Sequence, residues 1–182
     1  MKILLTGSSK GIGFSIAKTL INEGHEIALH YNKNKSSLDP LIKDSKTNSF
    51  TIQSDLSDLN QIKDLVNSTI DKLSFPDCII NNAGIAEPAH ISIDFEKWND
   101  LFDRTIDVNL KAPSLIFKEL IKYKRANKIK SRLRFINIAS RAAFRGEQED
   151  YISYACSKGG MISLTKTMSR SFGATDNIVA IS

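Results

Sequence analysis

Short apolar runs alternate with helical patterns along almost the whole chain. KILLT (Lys2–Thr6) reads as a buried strand running into a glycine-rich turn. EIALHY (Glu26–Tyr31), SFTIQ (Ser49–Gln53), CIIN (Cys78–Asn81) and LRFINIA (Leu133–Ala139) repeat the type, and NIVAIS (Asn177–Ser182) begins a sixth strand. Between them the apolar period lengthens to that of a helix. Ile12, Ile16 and Leu20 stand four apart on one face of a helix that stops near Gly24. A weaker helix covers SSLDPLIKDS (Ser36–Ser45), where Pro40 is tolerable only in the first turn. A better one starts at about Asp58, with Leu59, Ile62, Val66 and Leu73 on one side. A long helical region runs roughly from Glu96 to Lys124, and a last helix from about Tyr151 to Phe172, after a loop at Arg141–Asp150. Nearly all-apolar strands separated by helices imply a parallel sheet covered on both faces. With right-handed crossovers, a doubly wound Rossmann fold of three α/β/α layers follows.

Length and composition narrow the class. A chain of 182 residues can bury a full core, and no repeat, low-complexity tract or linker divides it, so one domain over residues 1–182 is expected. With 41% hydrophobic and 25% charged residues, disordered and fibrous classes are excluded. No apolar run approaches the ~20 residues that cross a bilayer. MKILLTG is too short for a secretory signal and lacks a cleavage pattern. Two cysteines, Cys78 and Cys156, form no disulfide framework. The expectation is a cytoplasmic protein with reduced thiols, no membrane association and no metal site.

The net charge of +5 comes largely from KELIKYKRANKIKSRLR, Lys118 to Arg134. A solvated helix end whose cations complement the helix dipole accounts for it, and an acidic partner is the alternative. Nucleic acid is not expected, because no aromatic residues alternate with the basic ones.

Candidate chemistry begins after the first strand. TGSSKGIG places glycines at 7, 11 and 13. A tight turn, close backbone approach to a pyrophosphate and close helix packing each ask for glycine, and the free amides of the following helix favour phosphate. No G-K-[ST] closes the loop, so it is not a Walker A sequence; a flexible strand–helix turn is the alternative. An acidic residue ending the second strand would hold the ribose 2′-hydroxyl of NAD. HYNKNK has none there, but has Lys33 and Lys35, and Lys10 lies in the glycine loop. Cations at that place suit a 2′-phosphate, so NADP(H) is preferred and NAD(H) remains possible.

Polar residues also interrupt apolar patterns. Asn109 breaks a stripe of Trp98, Phe102, Ile116 and Leu120, and Pro113, four residues on, has no N–H for the Asn109 carbonyl. A kink with a free carbonyl able to hold a water is expected. Ser140 falls at the carboxyl end of the fifth strand, where ligands of open α/β sheets bind. SYACSKGG puts Tyr154 one helical turn before Lys158. A free phenol titrates near ~10, and a neighbouring ammonium favours phenolate, which suits general acid–base work on a carbonyl or alcohol.

Jointly TGSSKGIG, SDLSD, NNAG, DVNLKAP, the Ser140 strand end and YACSK resemble the short-chain dehydrogenase/reductase family over the whole chain, in order. The resemblance implies Tyr154 as proton donor and Lys158 as the cation that activates it and holds the nicotinamide ribose. It implies Ser140 as the group that polarises the substrate carbonyl, and Asn109 as the holder of a relay water. Cofactor contacts would come from Gly7, Ser9, Lys10, Gly11, Ile12 and Gly13, from Asp55 and Leu56, and from Asn82, Ala83 and Gly84 of the NNAG turn. Lys10, just before the second glycine, matches the variant that goes with NADP(H). A 3-oxoacyl thioester on an acidic carrier protein, as in fatty acid biosynthesis, is the leading substrate expectation, with the basic stretch as the carrier's dock. The resemblance also implies a homodimer through the family's fifth helix and the last helix, where Met161, Leu164, Met168 and Phe172 form an apolar stripe beside Gly159 and Gly160. Family members continue past the sixth strand into a substrate loop and a last strand, which these residues lack. A catalytically silent nucleotide-binding or interaction protein is the alternative.

Overall fold

Six short strands are built on runs with almost no charge: β1 (Lys2–Leu5), β2 (Glu26–Tyr31), β3 (Phe50–Gln53), β4 (Cys78–Asn81), β5 (Leu133–Asn137) and β6 (Ile178–Ile181). In a computed structural model describing residues 1–182, they pair in parallel in the order β3-β2-β1-β4-β5-β6. The helices are α1 (Gly11–Asn22), α2 (Leu38–Lys43), α3 (Leu59–Leu73), α4 (Phe95–Ile106), α5 (Ala112–Ala126), α6 (Ala142–Arg145) and α7 (Ile152–Asp176). Strand alternation sends side chains to two cores. Leu4, Ala28, Ile79 and Phe135 meet α3, α5 and α7 on one face, while Ile3, Leu5, Ile27 and Leu29 meet α1 and α2 on the other. This is the doubly wound Rossmann sheet expected from the apolar pattern.

Several details depart from the periodicity. In α1 the buried positions are Gly13 and Ala17, while Ile12 is 65% exposed. Small residues let α1 approach β1 closely; Ile16 and Leu20 pack at the margin of that core, and Ile12 alone of the three turns outward, onto the cleft. Leu59 is likewise exposed, and Ile62, Val66 and Leu73 carry the contact. Asp58 caps α3, accepting the N–H groups of Asn60 and Gln61. The kink expected at Asn109 takes the form of a π turn over Asp107–Lys111, where the Ala112 N–H reaches back to the Asp107 carbonyl. The loop read over Arg141–Asp150 contains α6 and a single 3₁₀ turn, Glu149–Tyr151.

The apolar stripe on α7 is core. Met161 and Met168 are buried, and Leu164 and Phe172 pack against the same cluster. Gly160 serves a contact within the chain, since a Cβ there would stand 2.5 Å from Leu110 Cδ2. A buried amide ladder also fixes α7 to the sheet. Asn81 Nδ2 donates to Asn137 Oδ1 at 2.7 Å, and Asn137 Nδ2 donates to Thr165 Oγ1 at 2.8 Å. No helix is long and apolar enough to cross a membrane.

Candidate active site

The carboxyl ends of β1 and β4 meet in a joint that only glycine permits at two places. Gly7 adopts φ +66°, and a Cβ there would lie 2.7 Å from Ala83 Cα. A Cβ on Gly13 would lie 2.1 Å from the Gly7 carbonyl oxygen. Asn82 Nδ2 donates to the Thr6 and Gly7 carbonyls at 3.0 and 2.9 Å. Thr6 Oγ1 in return accepts the N–H groups of Asn82 and Ala83, each at 3.1 Å. The glycine loop and NNAG thus form one unit, above which a cleft of about 600 Å³ opens.

Gly7, Ser9, Lys10, Gly11, Ile12 and Gly13 line its floor, with Asp55 and Leu56 at one wall and Asn82, Ala83 and Gly84 at the other. Every expected cofactor-side residue outside α7 is therefore on this one surface. Lys33 lines it as well, next to Asn32 and Asn34. Lys35 instead pairs with Asp39 at 3.4 Å. The N–H and hydroxyl of Ser57 on Asp55 hold its carboxyl below the usual carboxylate value, and the Arg104 guanidinium adds to this.

At the β4–β5 end the helical residues converge. Lys158 is 4% exposed and its Nζ donates to the Ile138 carbonyl at 2.8 Å, two residues before Ser140. Burial pushes the Lys158 ammonium down from its ordinary value. Its Nζ stands 5.7 Å from the Tyr154 ring centroid, so the turn spacing does bring cation and phenol together. Asn109 is fully buried and brackets Ile85, accepting its N–H and donating to its carbonyl, both at 2.8 Å. The same amide donates to Ser157 Oγ at 3.0 Å, and Ser157 Oγ donates to the Tyr154 carbonyl at 2.7 Å. A Cβ on Gly84 would sit 3.3 Å from Asn109 Oδ1 and 3.6 Å from Lys158 Nζ, so the cofactor-side turn touches both residues. Ser140 Oγ accepts the Ala142 N–H at 3.2 Å, which leaves its hydroxyl proton free to donate.

The cleft also contains His30, Ile85, Arg104 and Val108, which are not among the residues expected from the sequence. Arg104 and Val108 carried a usable signal, being one helical turn apart and ending next to Asn109. His30 was visible as a polar interruption of an apolar strand. The basic stretch lies elsewhere. It ends α5 and leads into the amino end of β5, at the opposite end of that strand from Ser140.

The short chain dehydrogenase family profile matches residues 1–182. A 3-oxoacyl-[acyl-carrier-protein] reductase of Staphylococcus epidermidis is 30% identical over 184 residues, covering 97% of this chain and 72% of that protein. A protein of the same name from Synechocystis is also 30% identical, with 97% and 71% covered. Among solved structures, 4-hydroxyisoleucine dehydrogenase complexed with NADH superposes with a TM-score of 0.84 at 30% identity, over 98% of this chain and 70% of that one. A metagenomic blue fluorescent protein in complex with NADPH gives 0.82 at 28% identity, with 98% and 70% covered. With the profile matched over the whole chain and the same fold shared with these dehydrogenases, the chain belongs to the short-chain dehydrogenase family, the NAD(P)-dependent oxidoreductases.

Proposed function

We propose that this protein reduces a ketone to an alcohol with NADPH, and that Asn109, Ser140, Tyr154 and Lys158 carry the reaction. The observation that carries the reading is the junction at Gly84, where the cleft wall contacts both Asn109 and Lys158. The residues fit a dinucleotide, since the cradle at Gly7 and Gly13 leaves backbone where any Cβ would intrude. When bound, the reduced nicotinamide supplies a hydride to the carbonyl carbon. Ser140 Oγ donates a hydrogen bond to the carbonyl oxygen, and Tyr154 Oη gives that oxygen its proton. Lys158 stabilises the phenolate left behind. The Asn109 side chain is committed to Ile85 and Ser157, so a relay water that restores the Tyr154 proton would rest on its main-chain carbonyl.

Preference for the 2′-phosphate is supported by Lys10 and Lys33, both exposed on the cleft, and by the absence of a carboxylate at Asn32. Reduction of a 3-oxoacyl thioester is supported by the names of the two bacterial relatives. Within one chain the basic stretch is remote from Tyr154. A two-fold pair through α5 would run the two helices antiparallel and set one chain's basic turn beside its partner's site. Carrier docking and a homodimer therefore stand together.

The deciding experiment is turnover of ketones and 3-oxoacyl thioesters, with nicotinamide fluorescence reporting binding. Tyr154→Phe should keep NADPH binding and lose about 10²–10⁴-fold in turnover. Unchanged turnover would remove Tyr154 from the chemistry. Nucleotide binding without turnover of any carbonyl would favour the catalytically silent alternative.

A further inference from the structure

His30 is the one imidazole inside the sheet, 2% exposed between apolar neighbours, yet its ring reaches the nucleotide loop. Nδ1 lies 3.0 Å from the Gly7 nitrogen, and Nε2 lies 2.9 Å from the Ser54 carbonyl oxygen. A backbone N–H can only donate and a carbonyl can only accept. The ring is therefore neutral, with its proton on Nε2 and Nδ1 bare. The main-chain carbonyl of His30 also accepts both the N–H and the hydroxyl of Ser8, each at 2.9 Å. Beyond Ser54, the Asp55 N–H is held by Gln61 Oε1 at 2.8 Å. One residue thus ties the glycine loop to the Asp55 wall of the cleft.

We infer that His30 is a positioning residue for the dinucleotide, a latch that holds Gly7 at a set distance from the Asp55 wall and releases it on gaining a proton at Nδ1. The inference rests on the nucleotide-binding reading of the cleft. A protonated Nδ1 would face the Gly7 N–H donor to donor, across a distance that now holds a hydrogen bond. Gly7 could then no longer keep the conformation that lets backbone approach a phosphate.

The groups around the ring come from four directions. Lys10 belongs to the glycine loop, Lys33 follows in the chain, Asp55 follows β3, and Arg104 faces the cleft from α4. Burial acts first and disfavours the imidazolium, while the Ser54 carbonyl and Asp55 partly oppose it, so protonation falls below the usual 6.5. The sign follows. The latch is intact at neutral and higher pH and is lost as pH falls through the lowered value. Charges on a bound nucleotide favour the imidazolium, but they act across a wet cleft, whereas the donor–donor clash acts at contact.

The test measures Kd for NADPH and NADH by nicotinamide fluorescence, on wild type, His30→Asn and His30→Gln. An Asn oxygen replaces Nδ1 as acceptor and cannot be protonated, while a Gln amide nitrogen replaces Nε2 and offers Gly7 nothing. Wild type should weaken for both nucleotides as pH falls from about 7.5 through the point at which His30 gains its proton, by about tenfold in all, the loss of one net hydrogen bond. His30→Asn should bind like wild type at the upper pH and hold that affinity as pH falls. His30→Gln should be about tenfold weaker throughout. Equal pH profiles for wild type and His30→Asn, or wild-type affinity in His30→Gln, would overturn the latch while leaving nucleotide binding intact. If wild type bound neither nucleotide at any pH, the nucleotide reading would fall and the latch with it. Nitrogen-15 NMR of the free wild-type chain needs no variant to fold. It should find His30 as the Nε2–H tautomer at neutral pH, and a proton on Nδ1 there would also overturn the proposal.

Discussion

Asn109 is held more tightly than a residue whose sole task is to bear a water. Its side chain completes both backbone groups of Ile85 and steadies the turn of α7 that carries Tyr154. Asn109→Ala should therefore cost about 1–3 kcal/mol for each buried group left unpaired, read as a lower urea midpoint. An unchanged midpoint would mean Ile85 finds other partners. Lys10 and Lys33 act at the same scale but on exposed ground. Changing both to Ala should weaken NADPH about tenfold or more and leave NADH nearly unaltered, since only the former offers a 2′-phosphate. Equal losses for both nucleotides would place these lysines elsewhere on the ligand.

At the scale of elements, close approach sets which helices can sit where. α1 rests on Gly13 and Ala17, and no movement of a flexible side chain can relieve a Cβ set 2.1 Å from the Gly7 carbonyl oxygen. Gly13→Ala should abolish nucleotide binding and lower Tm. Gly160→Ala meets only the far end of Leu110, so a loss of about 1–3 kcal/mol with retained binding is expected, measured by denaturation. Were the two variants equally damaging, the difference between backbone and side-chain obstruction would not be what matters here. The π turn belongs to this scale too. One extra residue between α4 and α5 lets Asn109 face Ile85 while α5 stays against the sheet.

At the scale of the whole molecule, Arg125 of α5 grips Asp176 at the end of α7 through two hydrogen bonds, at 2.8 and 2.7 Å. The Asp176 side chain is only 6% exposed. Arg125, followed by the Thr175 hydroxyl, holds the Asp176 carboxyl below its ordinary value. A carboxyl whose value is lower folded than unfolded stabilises above the unfolded value and loses that contribution as pH falls through the folded one. Arg125→Ala should lower Tm at neutral pH, and the gap from wild type should close on strong acidification. A gap constant with pH would assign the loss to packing on Phe172, over which Arg125 lies at 5.5 Å.

The succession of strands and helices, the glycine loop and the Tyr154–Lys158 spacing are legible along the chain because each is a local pattern. Strand periodicity, a strand-to-helix turn and a four-residue helical spacing need no knowledge of distant residues. Which face of α1 is buried, what the α7 stripe packs against, where Lys35 points and how far the basic stretch lies from Tyr154 were decided only when the layers closed. So was the role of His30, whose ring joins Gly7 to Ser54, residues 23 positions back and 24 ahead in the chain. Periodicity reports which positions are apolar, whereas partners are set by sheet order, and sheet order is a property of the folded chain.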